Sequence, residues 1–167
     1  MKTSANPHRA RHHGFGLIEA VIGIALITLF LFGIAESGKL ASRLIGSSSL
    51  ARQAAFLSEE GIEAVKGLRD ADWDTKITSL TPDTDHWLVF SGGVWALTST
   101  AQPFADKRFD RRVRISAVGR DAGDDIVASG GTIDTGTKKI TVSVAWSDRG
   151  ATTTATLSTY ITNLFNN

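Results

Sequence analysis

The sequence predicts an α+β protein in which one long N-terminal α-helix, half transmembrane and half amphipathic, packs on a C-terminal antiparallel β-sheet. Three observations lead there. The 21 residues from Phe15 to Ala35 are apolar apart from a single charge, Glu19. Between Ser37 and Arg69 there is no proline, and apolar residues recur at helical spacing. From Ala71 onward β-branched residues, Gly, Asp and Trp replace the helix formers, in short alternating runs broken by turn sequences. Long helix followed by several strands is the pattern of an α+β unit. It divides the chain into a leader (1–14), a membrane-type helix (15–36), an amphipathic continuation (37–70) and a β-rich domain (71–167).

The leader, Met1–Gly14, holds Lys2, Arg9 and Arg11, three histidines and no acid. As a helix at about 1.5 Å per residue, Phe15–Ala35 reaches about 31 Å, enough for a hydrocarbon core of about 30 Å. Positive charge is unopposed ahead of the run, whereas Glu36, Lys39 and Arg43 follow it. That asymmetry predicts a cytoplasmic N-terminus and an extracytoplasmic C-terminal domain. The leader carries +3, so its removal takes the chain from +1 to −2. A nearly neutral protein has no bulk electrostatic reason to bind nucleic acid, which is not expected as a partner. Membrane lipid is. Glu19 is the residue that needs explaining, because a charge at mid-bilayer costs roughly 2.5–3.5 kcal/mol on insertion scales and less near an end. A removable signal peptide is the plainer reading of the same stretch, with Gly33-Ile34-Ala35 as its cleavage site. Against it stand the length of the run, Glu19 within it, and helical patterning that continues through the cut.

Leu50, Ala54, Leu57, Gly61, Ala64 and Leu68 mark one helix face. Arg52, Gln53, Ser58, Glu59, Glu60, Glu63 and Lys66 fall mostly on the solvent side. Gly46-Ser47-Ser48-Ser49 is poor in helix propensity and marks a bend or local melting. In the domain, His86–Phe90 and Val94–Thr98 form a hairpin through Gly92-Gly93. Arg112–Val118 places Val113, Ile115 and Ala117 on one face. Lys139–Trp146 places Ile140, Val142, Val144 and Trp146 inward, and Ala151–Ile161 places Ala155, Leu157, Thr159 and Ile161 together. Ser147-Asp148-Arg149-Gly150 joins the last two strands. Segments 121–125 and 129–132 have loop composition. Trp73, Trp87, Trp95 and Trp146 are expected to fill the helix–sheet interface. The chain has no cysteine, so no disulfide supports the core.

Gly14-Phe15-Gly16-Leu17-Ile18-Glu19, opening an apolar helix after a short basic leader, resembles the type III signal of type IV prepilins and type II secretion pseudopilins. The resemblance implies cleavage between Gly14 and Phe15 by a prepilin peptidase, N-methylation of Phe15, and Glu19 as the fifth mature residue. It implies that the Glu19 carboxylate pairs with the terminal amine of Phe15 in a neighbouring subunit. Two opposite charges about 4 Å apart are worth on the order of 4 kcal/mol at an effective dielectric of 20. Gly16, Gly23, Gly33 and Gly38 then fit either the ordinary tolerance of membrane helices for glycine or close helix approach in a filament core. Gly16 stands where the family often has threonine, Glu36 where many members have a kinking proline, and the disulfide-closed loop of major pilins is impossible. The resemblance therefore implies a minor pilin or pseudopilin, without cofactor or catalytic residues. Its implied partners are other pilin subunits, the peptidase, a membrane platform protein and an assembly ATPase, and its implied site is an extracellular or periplasmic filament. The alternative is a signal-anchored extracytoplasmic β-rich binding domain unrelated to filaments.

Other constellations are weaker. Asp70, Asp72 and Asp74 alternate like calcium ligands, but an EF-hand needs glycine and an acid where Thr75 and Thr81 stand. Lys107, Arg108, Arg111, Arg112 and Arg114 form a basic cluster interrupted by Asp106 and Asp110, as a solvated face or inter-subunit links require. His86 is the only histidine after the leader, and no nucleophile, P-loop or dinucleotide fingerprint accompanies it.

Overall fold

The computed structural model describes residues 16–102, 105, 108–148 and 150–165, without the side chains of residues 43 and 44. The chain is α+β, with one long N-terminal helix packed on an antiparallel sheet. Helix α1 runs Leu17–Ala71 without interruption, through Gly46-Ser47-Ser48-Ser49 as well. The chain nevertheless divides between Ile45 and Gly46 into two compact units, at the start of that weak stretch.

In the first unit α1 carries its apolar side chains outward, from Leu17 at 84% exposure to Phe32 at 67%. Two of its hydroxyls are satisfied by the helix itself. Thr28 Oγ1 donates to the Ile24 carbonyl (2.8 Å) and Ser37 Oγ to that of Gly33 (2.9 Å). Such i−4 bonds spare a membrane helix the cost of an unpaired hydroxyl. Past the apolar run, Lys39 and Glu36 form an ion pair at 2.6 Å.

In the second unit one face of α1 is covered. Ala54, Gly61, Ala64 and Leu68 are buried, and Leu50 and Leu57 are partly so. The buried face is wider than the spacing of those six residues indicates, for Ile62, Val65 and Ser58 join it. Ser58, expected on the solvent side, is buried because its hydroxyl donates to the Ala54 carbonyl at 2.9 Å. A hydroxyl that bonds its own helix loses little on leaving water. After α1 a single π-helical turn, Asp74–Thr78, seats Trp73 and Ile77 in the core.

Strands β1 (Asp85–Ser91), β2 (Val94–Thr98), β3 (Phe109–Arg120), β4 (Ile126–Val127), β5 (Thr132–Asp148) and β6 (Ala151–Thr162) make the sheet. Its order is β2-β1-β3-β5-β6, with β4 against β3, and every pairing is antiparallel. Gly92 and Gly93, with φ of 60° and 82°, make the β1–β2 turn, a conformation that suits glycine. Only Asp85 and His86 pair with β3, so the hairpin leaves the main sheet early. The inward residues of β5 are Ile140, Val142, Val144 and Trp146, as alternation predicts. They meet Val113 and Ile115 of β3 in one core with α1.

Two details depart from simple alternation. Between Ala117 and Val118 the β3–β5 register jumps from Lys138 to Asp134. This irregularity turns Val118 into the core and leaves Ala117 exposed, the reverse of the expectation. On β6, Leu157 pairs with Val142 on the expected face but stays 39% exposed, while Ile161 is 2% exposed. An edge strand is covered along only part of its length.

Segments 121–125 and 129–131 are turns and bends, as their composition predicts, and they flank β4, which returns against the end of β3. Asp121 Oδ1 accepts bonds from the amides of Gly123 (2.8 Å) and Asp125 (3.0 Å). A β-carbon at Gly119 would collide with the Gly130 carbonyl oxygen. Gly119→Ala is therefore expected to cost about 2 kcal/mol, as overpacking against an unyielding backbone does. Denaturant unfolding followed by tryptophan fluorescence measures it.

Candidate functional site

Glu19 lies in the first turn of α1, where its amide donates to the Gly16 carbonyl at 3.0 Å. Its surroundings on the helix, Leu17, Ile18, Val21 and Ile22, are each more than half exposed. Anions are stabilised at helix N-termini by the partial positive charge there, by a few tenths to about 1 kcal/mol. That offsets part of the cost of a carboxylate in an apolar span. Among the described residues, α1 supplies one segment long and apolar enough to cross a membrane. Gly14 and Phe15, the expected cleavage and methylation positions, lie outside the described residues, as does the leader.

The second unit holds three ionic clusters that sequence spacing does not announce, because their members come from distant elements. Asp85 on β1 accepts from Arg114 (2.6 Å) and Arg112 (3.2 Å) of β3, and Arg112 also reaches Asp110 at 2.6 Å. Desolvation pushes the Asp85 carboxyl up, but the hydrogen bonds from Arg114 and Arg112 outweigh it and hold the carboxyl below its ordinary value. The hydrogen bond to Asp110 raises Arg112 further. Arg112 also stacks 5.5 Å from the Trp87 ring, whose Nε1 donates to Asp110 at 3.1 Å.

Arg111 turns the other way. It reaches the Leu57 carbonyl (3.2 Å) and Glu60 (2.5 Å) on α1, and its guanidinium lies 5.3 Å from the Trp95 ring. The basic cluster is thus split between the helix side and the outer face, and Arg111, Arg112 and Arg114 are ion-paired rather than arrayed as a free phosphate-binding stripe. Lys107 lies outside the described residues.

The third cluster sits where the β3–β5 register shifts. Asp134 accepts from Arg120 Nε (2.7 Å) and from the Gly136 amide (2.8 Å). The Thr137 hydroxyl first, then the Arg120 guanidinium, bring its carboxyl from 3.8 down to about 2. A depressed carboxyl contributes stability that is whole above its unfolded value and lost as pH falls through the folded one. The window is therefore pH 4 to 2. Asp134→Asn is expected to flatten the fall of Tm across that window, as read by thermal unfolding at stepped pH.

The weak calcium positions do not converge. Asp70 pairs with Arg69 at 2.7 Å, Asp72 accepts the Thr75 amide at 2.9 Å, and Asp74 opens the π-helical turn. No group of three His, Cys, Asp or Glu side chains placed to share a metal occurs among the described residues. His86 is buried, with Nδ1 3.2 Å from the Thr84 carbonyl, in a packing position. Of the tryptophans, Trp73 and Trp146 fill the core, whereas Trp87 and Trp95 are half-buried beside arginines. Comparison of the chain with protein-family models, with curated proteins and with solved structures finds no match.

Proposed function

We propose that this chain is a minor pilin or pseudopilin, a filament subunit held in the inner membrane by α1 until it assembles. The supporting observation is the lone carboxylate of Glu19 in the first turn of α1, whose outward-facing apolar segment is otherwise uncharged as far as Ala35. Lipid alone gives that carboxylate no partner. The terminal amine of a neighbouring subunit, freed by cleavage between Gly14 and Phe15, does. Pairing offsets the burial cost and sets the axial register between packed helices, so the chain's work is association rather than catalysis. The N-terminus is cytoplasmic and the β-rich domain extracytoplasmic. Prepilin peptidase, other subunits, a platform protein and an assembly ATPase are its partners.

A signal-anchored binding domain is the second reading, favoured by the compact unit that begins at Gly46, beyond the apolar run. Mass spectrometry of the N-terminal peptide from membrane-recovered protein separates the two. A chain beginning at N-methylated Phe15 is expected; one beginning at Glu36, or retaining all of Met1–Gly14, overturns the filament reading.

A further inference from the structure

On its outer face the sheet carries a hollow of about 280 Å³, edged by the ionic cluster around Asp85. Strand register makes it. Arg112 and Arg114 of β3 stand opposite Ser143 and Thr141 of β5, and Asp110 stands opposite Ala145. Long side chains on one strand beside short ones on the next leave a trough above β5. Thr154 of β6, the partner of Ala145, closes its far side. Alternation keeps these residues on the face opposite the core that Val142 and Val144 fill.

We propose that this hollow binds a neutral sugar ring. Its charges select the class of ligand. The carboxylates of Asp85 and Asp110 balance the guanidiniums of Arg112 and Arg114, so the lining has no net charge. An anion must compete with carboxylates that already hold those arginines, and a cation must compete with the arginines. A hydroxyl donates once and accepts twice, so it joins both kinds of group without displacing either. Arg114 meets Asp85 through Nε and Nη2, which leaves Nη1 without a partner among the described residues. The floor adds the hydroxyls of Thr141 and Ser143, 3.0 Å and 3.4 Å from those of Ser158 and Thr156. The methyl groups of Ala145 and Thr154 suit the C–H face of a ring. The polar wall is set in advance, because Trp87 Nε1 donates to Asp110 and the Trp87 ring supports Arg112. A preset wall spares a ligand much of the ordering cost of binding. The volume falls just short of the about 300–1,000 Å³ of pockets for larger ligands, so it suits one ring.

This site goes beyond the filament reading and does not rest on it. Full-length chain in octaethylene glycol dodecyl ether, a detergent without sugar, is titrated with glucose, galactose, mannose and N-acetylglucosamine and with their methyl glycosides. Glucuronate and galacturonate are the anionic comparators, and saturation-transfer NMR reads the binding. At least one neutral sugar is expected to bind with a Kd below about 10 mM. Ala145→Leu fills the floor on the face away from the core and is expected to weaken that binding at least about tenfold. Arg114→Ala is expected to weaken it at least about tenfold as well, through loss of a charged donor, while Arg112 still holds Asp85. Glu59→Ala, on the exposed side of α1, is expected to bind as the unaltered chain does. A methyl glycoside that binds as well as its free sugar supports the proposal with a glycan chain end as the source. One that does not bind supports it with a free sugar as the source. No binding by any neutral sugar, tighter binding of either anion, or unchanged binding in either hollow variant overturns the proposal.

Discussion

Glu19→Ala is expected to enter the membrane normally yet reduce filament recovered from cells by at least about tenfold. Insertion depends on the apolar run, which loses a charge and gains a neutral residue, so the membrane-bound amount holds or rises. On the filament reading proposed above, assembly is the step that suffers. A pair worth on the order of 4 kcal/mol, set against a burial cost somewhat below 2.5–3.5 kcal/mol near the helix end, leaves about 1–2 kcal/mol per subunit. Each 1.4 kcal/mol is a factor of ten in affinity, repeated wherever such a subunit joins. Glu19→Gln, which keeps the shape and removes the charge, is expected to behave like the alanine variant, separating electrostatics from packing. The measurement is an immunoblot of sheared and membrane fractions. An unchanged filament yield for both variants removes the ion pair from consideration.

The main architecture was legible because its signals are periodic. The α1 face through Ala54, Gly61, Ala64 and Leu68, the Gly92-Gly93 turn and the inward Ile140–Trp146 series each follow from side-chain spacing alone, and all are buried or placed as expected. Ser58 escaped because polarity was read as exposure, whereas the Ala54 carbonyl satisfies its hydroxyl. Ala117 and Val118 exchanged places because the register shift lies in the pairing with β5, which β3's own sequence does not contain. The ionic clusters were illegible for a related reason. Arg111 meets Glu60 and Arg114 meets Asp85 across large sequence separations, and only the topology brings them together. For the candidate site, Glu19 was found by contrast with its neighbours, a local signal that needs no tertiary information.

Gly61 presents the sharpest test of how α1 and the sheet are held together. A β-carbon there would stand 2.9 Å from Val142 Cγ1 and 3.3 Å from Cγ2, with Arg111 Cδ at 3.6 Å. Val142 is fully buried and has no free end to move aside. For Gly61→Ala two effects oppose each other: helix propensity gains about 1 kcal/mol, while one methyl pressed into a full core costs about 1–2 kcal/mol. The net change is expected to stay within about 1 kcal/mol. Gly61→Leu adds three more carbons with no further propensity gain, and about 3 kcal/mol or more of destabilisation is expected. Since Val142 is the group struck, Gly61→Ala combined with Val142→Ala should be more stable than the sum of the single effects by about 1 kcal/mol. Denaturant midpoints read from tryptophan fluorescence suit this series, because Trp73 and Trp146 lie in the same core. Additivity across the cycle is the adverse result, since it means that helix and sheet do not meet at this contact.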